Sequence, residues 1–216
     1  MSRTLSLIGL SLLLCAGNLR AAGDVEESLV TARFPNRGIA AMATRLVESG
    51  PYKRAILLMP GHPGIMKLES PTSFQLNGNF LIRSRKTWPD RETIVFSVDA
   101  PSDEWGSFTG SLFEQSSNSP GLAWFDFDDL KLPMLWVHHE GGPCRYTPYW
   151  QAKRHDEKTR SPLIAVRSAS VGRGDPCQAF SPHGFVGAEE ATVRAMRHWV
   201  VEGVAADMVV AGTGDQ

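Results

Sequence analysis

The residue best suited to chemistry in this chain is His183, within residues 181–187 (SPHGFVG). A predicted strand precedes this segment and a predicted helix follows it, so we expect the imidazole on a loop at the carboxyl end of a sheet. Imidazole titrates near neutral pH, and a loop at a sheet edge can aim it into a cleft. The segment therefore predicts a general base. The alternative interpretation is a polar histidine on the surface.

A histidine base needs a nucleophile, and the serines of the chain offer no obvious one. A triad joins a nucleophilic serine to histidine and an acid that orients the imidazole. No serine has glycine both two residues before and two residues after it, the pattern of a nucleophile elbow. The nearest segment, residues 106–110 (GSFTG), centres on phenylalanine. Ser102, Ser107 and Ser111 remain as candidate nucleophiles.

The elements that would position these residues are predicted from short apolar runs and from helical spacing. Strands are predicted at residues 28–34, 54–59, 93–98, 132–138 and 163–167, and helices at residues 39–47, 77–88, 148–157 and 188–201. Strands that alternate with helices favour a parallel sheet covered by helices. We therefore predict an α/β fold, with a mainly parallel sheet of about four to six strands flanked by helices.

Five segments in a fixed order carry a family resemblance. They are residues 59–64 (MPGHPG), 78–85 (GNFLIRSR), 99–103 (DAPSD), 137–144 (VHHEGGPC) and 177–187 (CQAFSPHGFVG). This order resembles a group of exported α/β-hydrolases, and the similarity covers most of the chain after residue 22. The resemblance implies a shortened α/β-hydrolase-like fold with His183 as the triad histidine. It also implies an oxyanion-hole turn around Gly61, His62 and Gly64.

Two departures from the family pattern concern the nucleophile and the acid. Relatives carry the elbow between the DAPSD segment and the His-His segment, where this chain has only the aperiodic residues 104–129. Relatives place the triad acid where this chain has Gly142. Glu140 on the same loop is the candidate substitute, and Asp175, on the loop of His183 itself, is a weaker one. The departures therefore predict an incomplete triad.

Residues 1–22 read as a secretory signal peptide. Arg3 precedes an apolar run at residues 5–16 that ends near small residues. The run is shorter than the roughly 20 apolar residues that span a bilayer, although an uncleaved anchor is the alternative. We expect residues 23–216 to form one domain in the periplasm or outside the cell. No stable membrane span is expected after removal of the signal.

Cleavage would remove Cys15 and leave Cys144 and Cys177. An even pair of cysteines in an oxidising compartment predicts one disulfide. The alternative is two unpaired, buried thiols.

Composition and charge narrow the class of ligand. The chain has 22 basic and 23 acidic side chains, so no net field attracts nucleic acid. Residues 61–67 lack the spacing of a phosphate-binding loop. His138 and His139 are adjacent on a predicted strand, so their side chains point to opposite faces and do not share a metal. We expect a small-molecule ligand, with neither cofactor nor metal, and the oligomeric state is left open.

The sequence thus predicts an exported α/β-hydrolase-like protein of low or no catalytic activity. The alternative is a periplasmic or secreted serine esterase that acts on a small ester through a non-standard nucleophile.

Overall fold

A computed structural model of the chain describes residues 24–34, 37–61, 64–104 and 132–211. Its strands are β1 (Val25–Phe34), β2 (Arg37–Leu46), β3 (Arg54–Leu58), β4 (Thr93–Val98), β5 (Trp136–His139), β6 (Leu163–Ser168) and β7 (Met208–Ala211). Its α-helices are α1 (Phe80–Arg83), α2 (Tyr149–Thr159) and α3 (Glu189–Glu202).

The strands form two sheets of different character. The first has the order β1-β2-β4-β3, in which β2 is antiparallel to both neighbours and only β3 and β4 are parallel. The second has the order β5-β6-β7 and is parallel throughout. The prediction of one mainly parallel sheet of four to six strands, flanked by helices as in an α/β-hydrolase, is therefore wrong. The larger sheet is mixed, and the described helices are few.

The error begins at residues 39–47, which were predicted to be helical and instead form most of β2. Met42 and Thr44, two residues apart, are both fully buried, as expected for one face of a strand. The strand pairs with β1 from Leu46 opposite Val25 to Arg37 opposite Phe34. Pairing across a hairpin satisfies the backbone groups of both strands, and such tertiary context overrides helix propensity.

The helix predicted at residues 77–88 is shorter in the structure. Asn79 caps α1, because its side-chain oxygen accepts the N–H of Leu81 at 3.0 Å. Ser84 ends α1 and donates its hydroxyl to the carbonyl of Phe80 at 2.7 Å. A 3-10 turn, Arg85–Thr87, follows. Serine hydroxyls that bond the preceding turn compete with regular helix, so the chain leaves α1 there.

Helix α3 contributes to the cores of both sheets. Val193 is buried in one cluster with Leu58, Trp88 and Val95. In another cluster, Ala188, which precedes α3, packs with residues of β6 and β7 (Ile164, Val166, Val209 and Ala211). Helix α3 and the loop before it therefore connect the two sheets. Within the described ranges, no helix is both long enough and apolar enough to cross a bilayer.

Candidate functional site

The site is built at the carboxyl edge of the second sheet. Strand β5 ends at His139 and β6 ends at Ser168, and the two strands are parallel. The loops that follow them therefore start from the same edge, where open α/β sheets place their ligands. A disulfide between Cys144 and Cys177 joins the two loops, with the Cα atoms 4.7 Å apart. The predicted disulfide is confirmed.

His183 lies in a 3-10 turn, Pro182–Gly184, on the loop between β6 and α3. The Ser181 side chain caps this turn by accepting the N–H of His183 at 3.2 Å. A side chain at Gly184 would collide with the carbonyl of Ala179, so the loop folds back tightly upon itself. The local sequence therefore holds the imidazole in a defined place.

The side chain that meets the imidazole is Thr147. Its Oγ1 lies 2.9 Å from Nδ1 of His183. In a catalytic triad, this ring nitrogen donates to a carboxylate, which fixes the tautomer and stabilises the imidazolium. A hydroxyl can either donate or accept, and it carries no charge. Thr147 therefore gives Nδ1 of His183 an uncharged hydrogen-bond partner.

The two candidate acids have other partners in the structure. The carboxylate of Glu140 forms an ion pair with Nε of Arg167 on β6, and this hydrogen bond lowers the pKa of Glu140. The carboxylate of Asp175 accepts the N–H of Cys177 at 2.7 Å in an exposed turn. The structure thus gives Nδ1 of His183 a threonine, while Glu140 is paired with a cation. A role as triad acid stays a prediction for both carboxylates.

His139 is a second histidine at this edge, and sequence reasoning gave it no role. It is 5% exposed, and its Nε2 lies 3.3 Å from Oγ of Ser168. The Ser168 hydroxyl donates its single hydrogen to the carbonyl of Val186 at 3.1 Å. Nε2 of His139 must therefore carry the hydrogen of that pair. Nδ1 is then a buried acceptor, and it has no hydrogen-bond partner among the described residues.

His138 is engaged on the opposite side of β5. Its Nδ1 donates to the carbonyl of His139 at 2.9 Å, and its ring centroid lies 5.9 Å from that of Tyr149. Burial lowers the pKa of His138, and backbone carbonyls only partly oppose this effect. Burial also lowers the pKa of His139, and the neighbouring His138 adds to that shift. Both imidazoles are therefore neutral at physiological pH. In the described ranges, no three His, Cys, Asp or Glu residues cluster to hold a metal.

The predicted oxyanion turn follows β3. Gly64 has φ +73°, and its N–H donates to the carbonyl of Gly61 at 2.7 Å. Two later amides of the loop, those of Met66 and Leu68, donate to the Asp99 carboxylate at 2.7 and 2.8 Å. These three amides are thus used within the protein. The role of Gly61 and Gly64 stays a prediction, and His62 lies outside the described residues.

The candidate nucleophiles are described only in part. Ser102 is exposed in the 3-10 turn Ser102–Glu104 that follows β4. Ser107 and Ser111 lie outside the described residues.

No protein-family model, curated protein or solved structure matches this chain.

Proposed function

We propose that this chain is an exported, hydrolase-like protein with an incomplete Ser-His-acid triad, and that it hydrolyses esters slowly or not at all. We further propose that its His183 site binds an uncharged, polar small molecule. The observation that carries the proposal is the 2.9 Å contact between Nδ1 of His183 and the hydroxyl of Thr147.

The size of the expected catalytic defect follows from what a triad acid supplies. When the acid no longer fixes the tautomer, a serine hydrolase loses about 10⁴-fold in kcat. Thr147 permits both tautomers of His183 and cannot balance an imidazolium charge. Glu140 is held by Arg167, so a move towards His183 would leave that guanidinium without its carboxylate. Both facts support a slow or silent site.

The polar side chains from β5 to the start of α2 suit a neutral ligand. Thr147, which contacts His183, and Tyr149 provide hydroxyls that both donate and accept hydrogen bonds, and the neutral His138 beside Tyr149 adds no charge. The charges of Glu140 and Arg167 compensate one another. Binding sites commonly hold a few such polar groups that orient a ligand. A charged ligand would find no unpaired opposite charge in this set of side chains.

The proposed export is supported by the disulfide. Cystine bridges persist in oxidising compartments and are rare in the cytosol, so Cys144–Cys177 indicates an extracytoplasmic protein. The finer location, periplasm or medium, belongs to the proposal and rests on residues 1–22.

The test of silence is labelling of the purified mature protein with a fluorophosphonate probe beside an active serine esterase. The variants are Ser102→Ala, Ser107→Ala, Ser111→Ala and His183→Ala. We expect no stoichiometric labelling of the wild type. Stoichiometric labelling that one serine variant and His183→Ala both abolish would overturn the proposal in favour of an esterase with a non-standard nucleophile.

The test of binding is an NMR titration with ethyl acetate and with N-methylacetamide as uncharged probes. We expect saturable shifts at the His183 ring that Thr147→Val weakens. Acetate serves as the charged control. Shifts that are equally large for acetate, or no shifts at all, would contradict the proposed ligand class.

A further inference from the structure

Arg83, the last residue of α1, uses all five of its N–H donors within the protein. Nε donates to Oε1 of Glu189 at 3.2 Å, and Nη2 donates to the same oxygen at 2.8 Å. Nη2 also donates to the carbonyl of Gly184, and Nη1 donates to the carbonyls of Gly78 and Ala179. A guanidinium has five such donors, so this one is saturated.

The acceptors of Arg83 surround the histidine in sequence. Ala179 lies four residues before His183, and Gly184 follows it directly. Glu189 is the first residue of α3. The Arg83 side chain is 15% exposed, so these bonds are largely removed from water. One side chain of the first half of the protein therefore holds the two ends of the loop segment that carries His183.

The contact between α1 and the His183 loop leaves little free space. A side chain at Gly78 would lie 2.8 Å from the ring of Phe180. The guanidinium carbon of Arg83 lies 5.5 Å from the centre of that ring. Lysine cannot reproduce this arrangement, because an ammonium has three donors and no planar fork.

We propose that Arg83 is a positioning residue for His183. By bonding the carbonyls of Ala179 and Gly184, it holds the turn at which Nδ1 of His183 meets Thr147. The inference builds on the His183 site of the proposed function, but it does not depend on whether that site is silent or active. It assigns the Arg83 of the GNFLIRSR segment a structural task that its position in the sequence does not reveal.

Arg85 supplies a matched control. It lies two residues further along, and its side chain is 13% exposed. Its guanidinium binds Glu27 at 2.6 and 3.1 Å and the carbonyl of Ile82 at 2.8 Å. Arg85 is thus a comparably buried, ion-paired arginine, but its bonds hold β1 rather than the His183 loop. Its loss should destabilise the protein without altering the imidazole.

The experiment uses the full mature protein labelled with ¹⁵N, with the ring signals of His183 assigned from a His183→Gln variant. Arg83→Met, Arg83→Lys and Arg85→Met are compared with wild type. The two readouts are the ring ¹⁵N shifts of His183 and amide hydrogen exchange at Gly184 and Phe185. These amides donate to the carbonyls of Ser181 and Pro182, both at 2.9 Å, so they report on the turn itself.

We expect both Arg83 variants to speed exchange at Gly184 and Phe185 by about tenfold or more, because charge-assisted bonds to the loop are lost. We expect the His183 ring shifts to change as well, because the turn no longer holds Nδ1 against the hydroxyl of Thr147. Arg85→Met should speed amide exchange at Gly184 and Phe185 by no more than about twofold and leave the His183 ring shifts unchanged, because its hydrogen bonds go to Glu27 and Ile82.

Unchanged His183 ring shifts in a folded Arg83 variant would overturn the inference, as would equal changes in Arg85→Met. If Arg83→Met does not fold, the test rests on Arg83→Lys, because lysine keeps the positive charge and a similar side-chain length. Fluorophosphonate labelling of the wild type would refute the silent site but leave this inference standing, so the two failures are distinguishable.

Discussion

The carboxyl edges of the two sheets occupy equivalent places in the fold but use their polar groups differently. Beyond β3 and β4, the buried Asp99 carboxylate accepts the N–H groups of Met66, Leu68 and Ala100. Beyond β5 and β6, Glu140 and Arg167 neutralise each other in an ion pair, His138 and His139 are uncharged, and Nδ1 of His139 has no partner among the described residues. The first edge is a charged anchor for a loop. The second edge keeps a hydrogen-bond acceptor that no described residue uses, which suits the binding of a ligand rather than the support of a loop.

The largest expected loss of stability is at Asp99. Asp99→Ala would leave three backbone N–H groups without their acceptor, so we expect a loss of about 4 kcal/mol or more in the free energy of unfolding. Urea denaturation measures it. Asp90→Ala is the control, because that carboxylate is partly exposed and accepts from the N–H of Glu92 and from the guanidinium of Arg197. If Asp99→Ala lowers the free energy of unfolding no more than Asp90→Ala does, Asp99 does not anchor the loop.

The next largest expected loss of stability comes from removing the disulfide at the second edge. Replacing both Cys144 and Cys177 by alanine opens a loop whose ends are 33 residues apart. The chain-entropy model then predicts a loss of about 3 to 4 kcal/mol. Thermal unfolding of the double variant measures this loss. The control is wild-type protein under reductant, which should unfold at the same temperature as the double variant. If the double variant is as stable as oxidised wild type, the disulfide does not stabilise the fold.

Acid should weaken the second edge before the first. Burial lowers the pKa of His138 and of His139 below the 6.5 of a free imidazole. Below pH 6.5, these two histidines therefore bind protons in the unfolded chain but stay neutral in the folded chain. Stability from these groups is complete above pH 6.5 and falls on acidification by up to about 1.4 kcal/mol per pH unit for each histidine.

Urea midpoints between pH 7.5 and 5 measure this slope, which His138→Gln or His139→Gln should reduce. The window lies above the ordinary pKa values of Asp90 and Glu140, which are 3.8 and 4.5. A flat profile in the wild type would show that the histidines are not buried in their neutral form.

The smallest expected effect concerns Thr147. Thr147→Val keeps the shape of the side chain but removes the partner of His183 Nδ1, so we expect a loss of about 1 kcal/mol in the free energy of unfolding. Thr147→Asp should commit the hydrogen of the His183 ring to Nδ1, as measured by ring ¹⁵N shifts. A ring that already holds one tautomer in the wild type would contradict the proposed role of the hydroxyl.

Local signals in the sequence predicted the elements that depend on local physics. The apolar runs at residues 54–59, 93–98 and 163–167 correspond to β3, β4 and β6, and the helical patterns at 148–157 and 188–201 correspond to α2 and α3. Elements defined by partners were missed. Residues 39–47 were predicted to be a helix but form most of β2, and no strand was predicted at β7, which pairs with β6. Neither partner is visible in the local pattern.

The same division holds at the site. The place of His183 on a loop beyond a strand followed from the order of elements, and the disulfide followed from cysteine count and compartment. The pairing of His183 with Thr147, 36 residues away, depends on how the β5–α2 connection runs. Adjacent histidines at a strand end were a signal that one must face inward.

The shared helix has a consequence for dividing the chain. A fragment that stops after the 3-10 turn Ser102–Glu104 would keep every strand of the first sheet yet lack Val193, which fills the space between Leu58, Trp88 and Val95. In the remaining fragment, the side chain of Val193 would be exposed to solvent. The first fragment would therefore lack part of its core, whereas the core residues packed around β6 and β7 would all lie in the remainder.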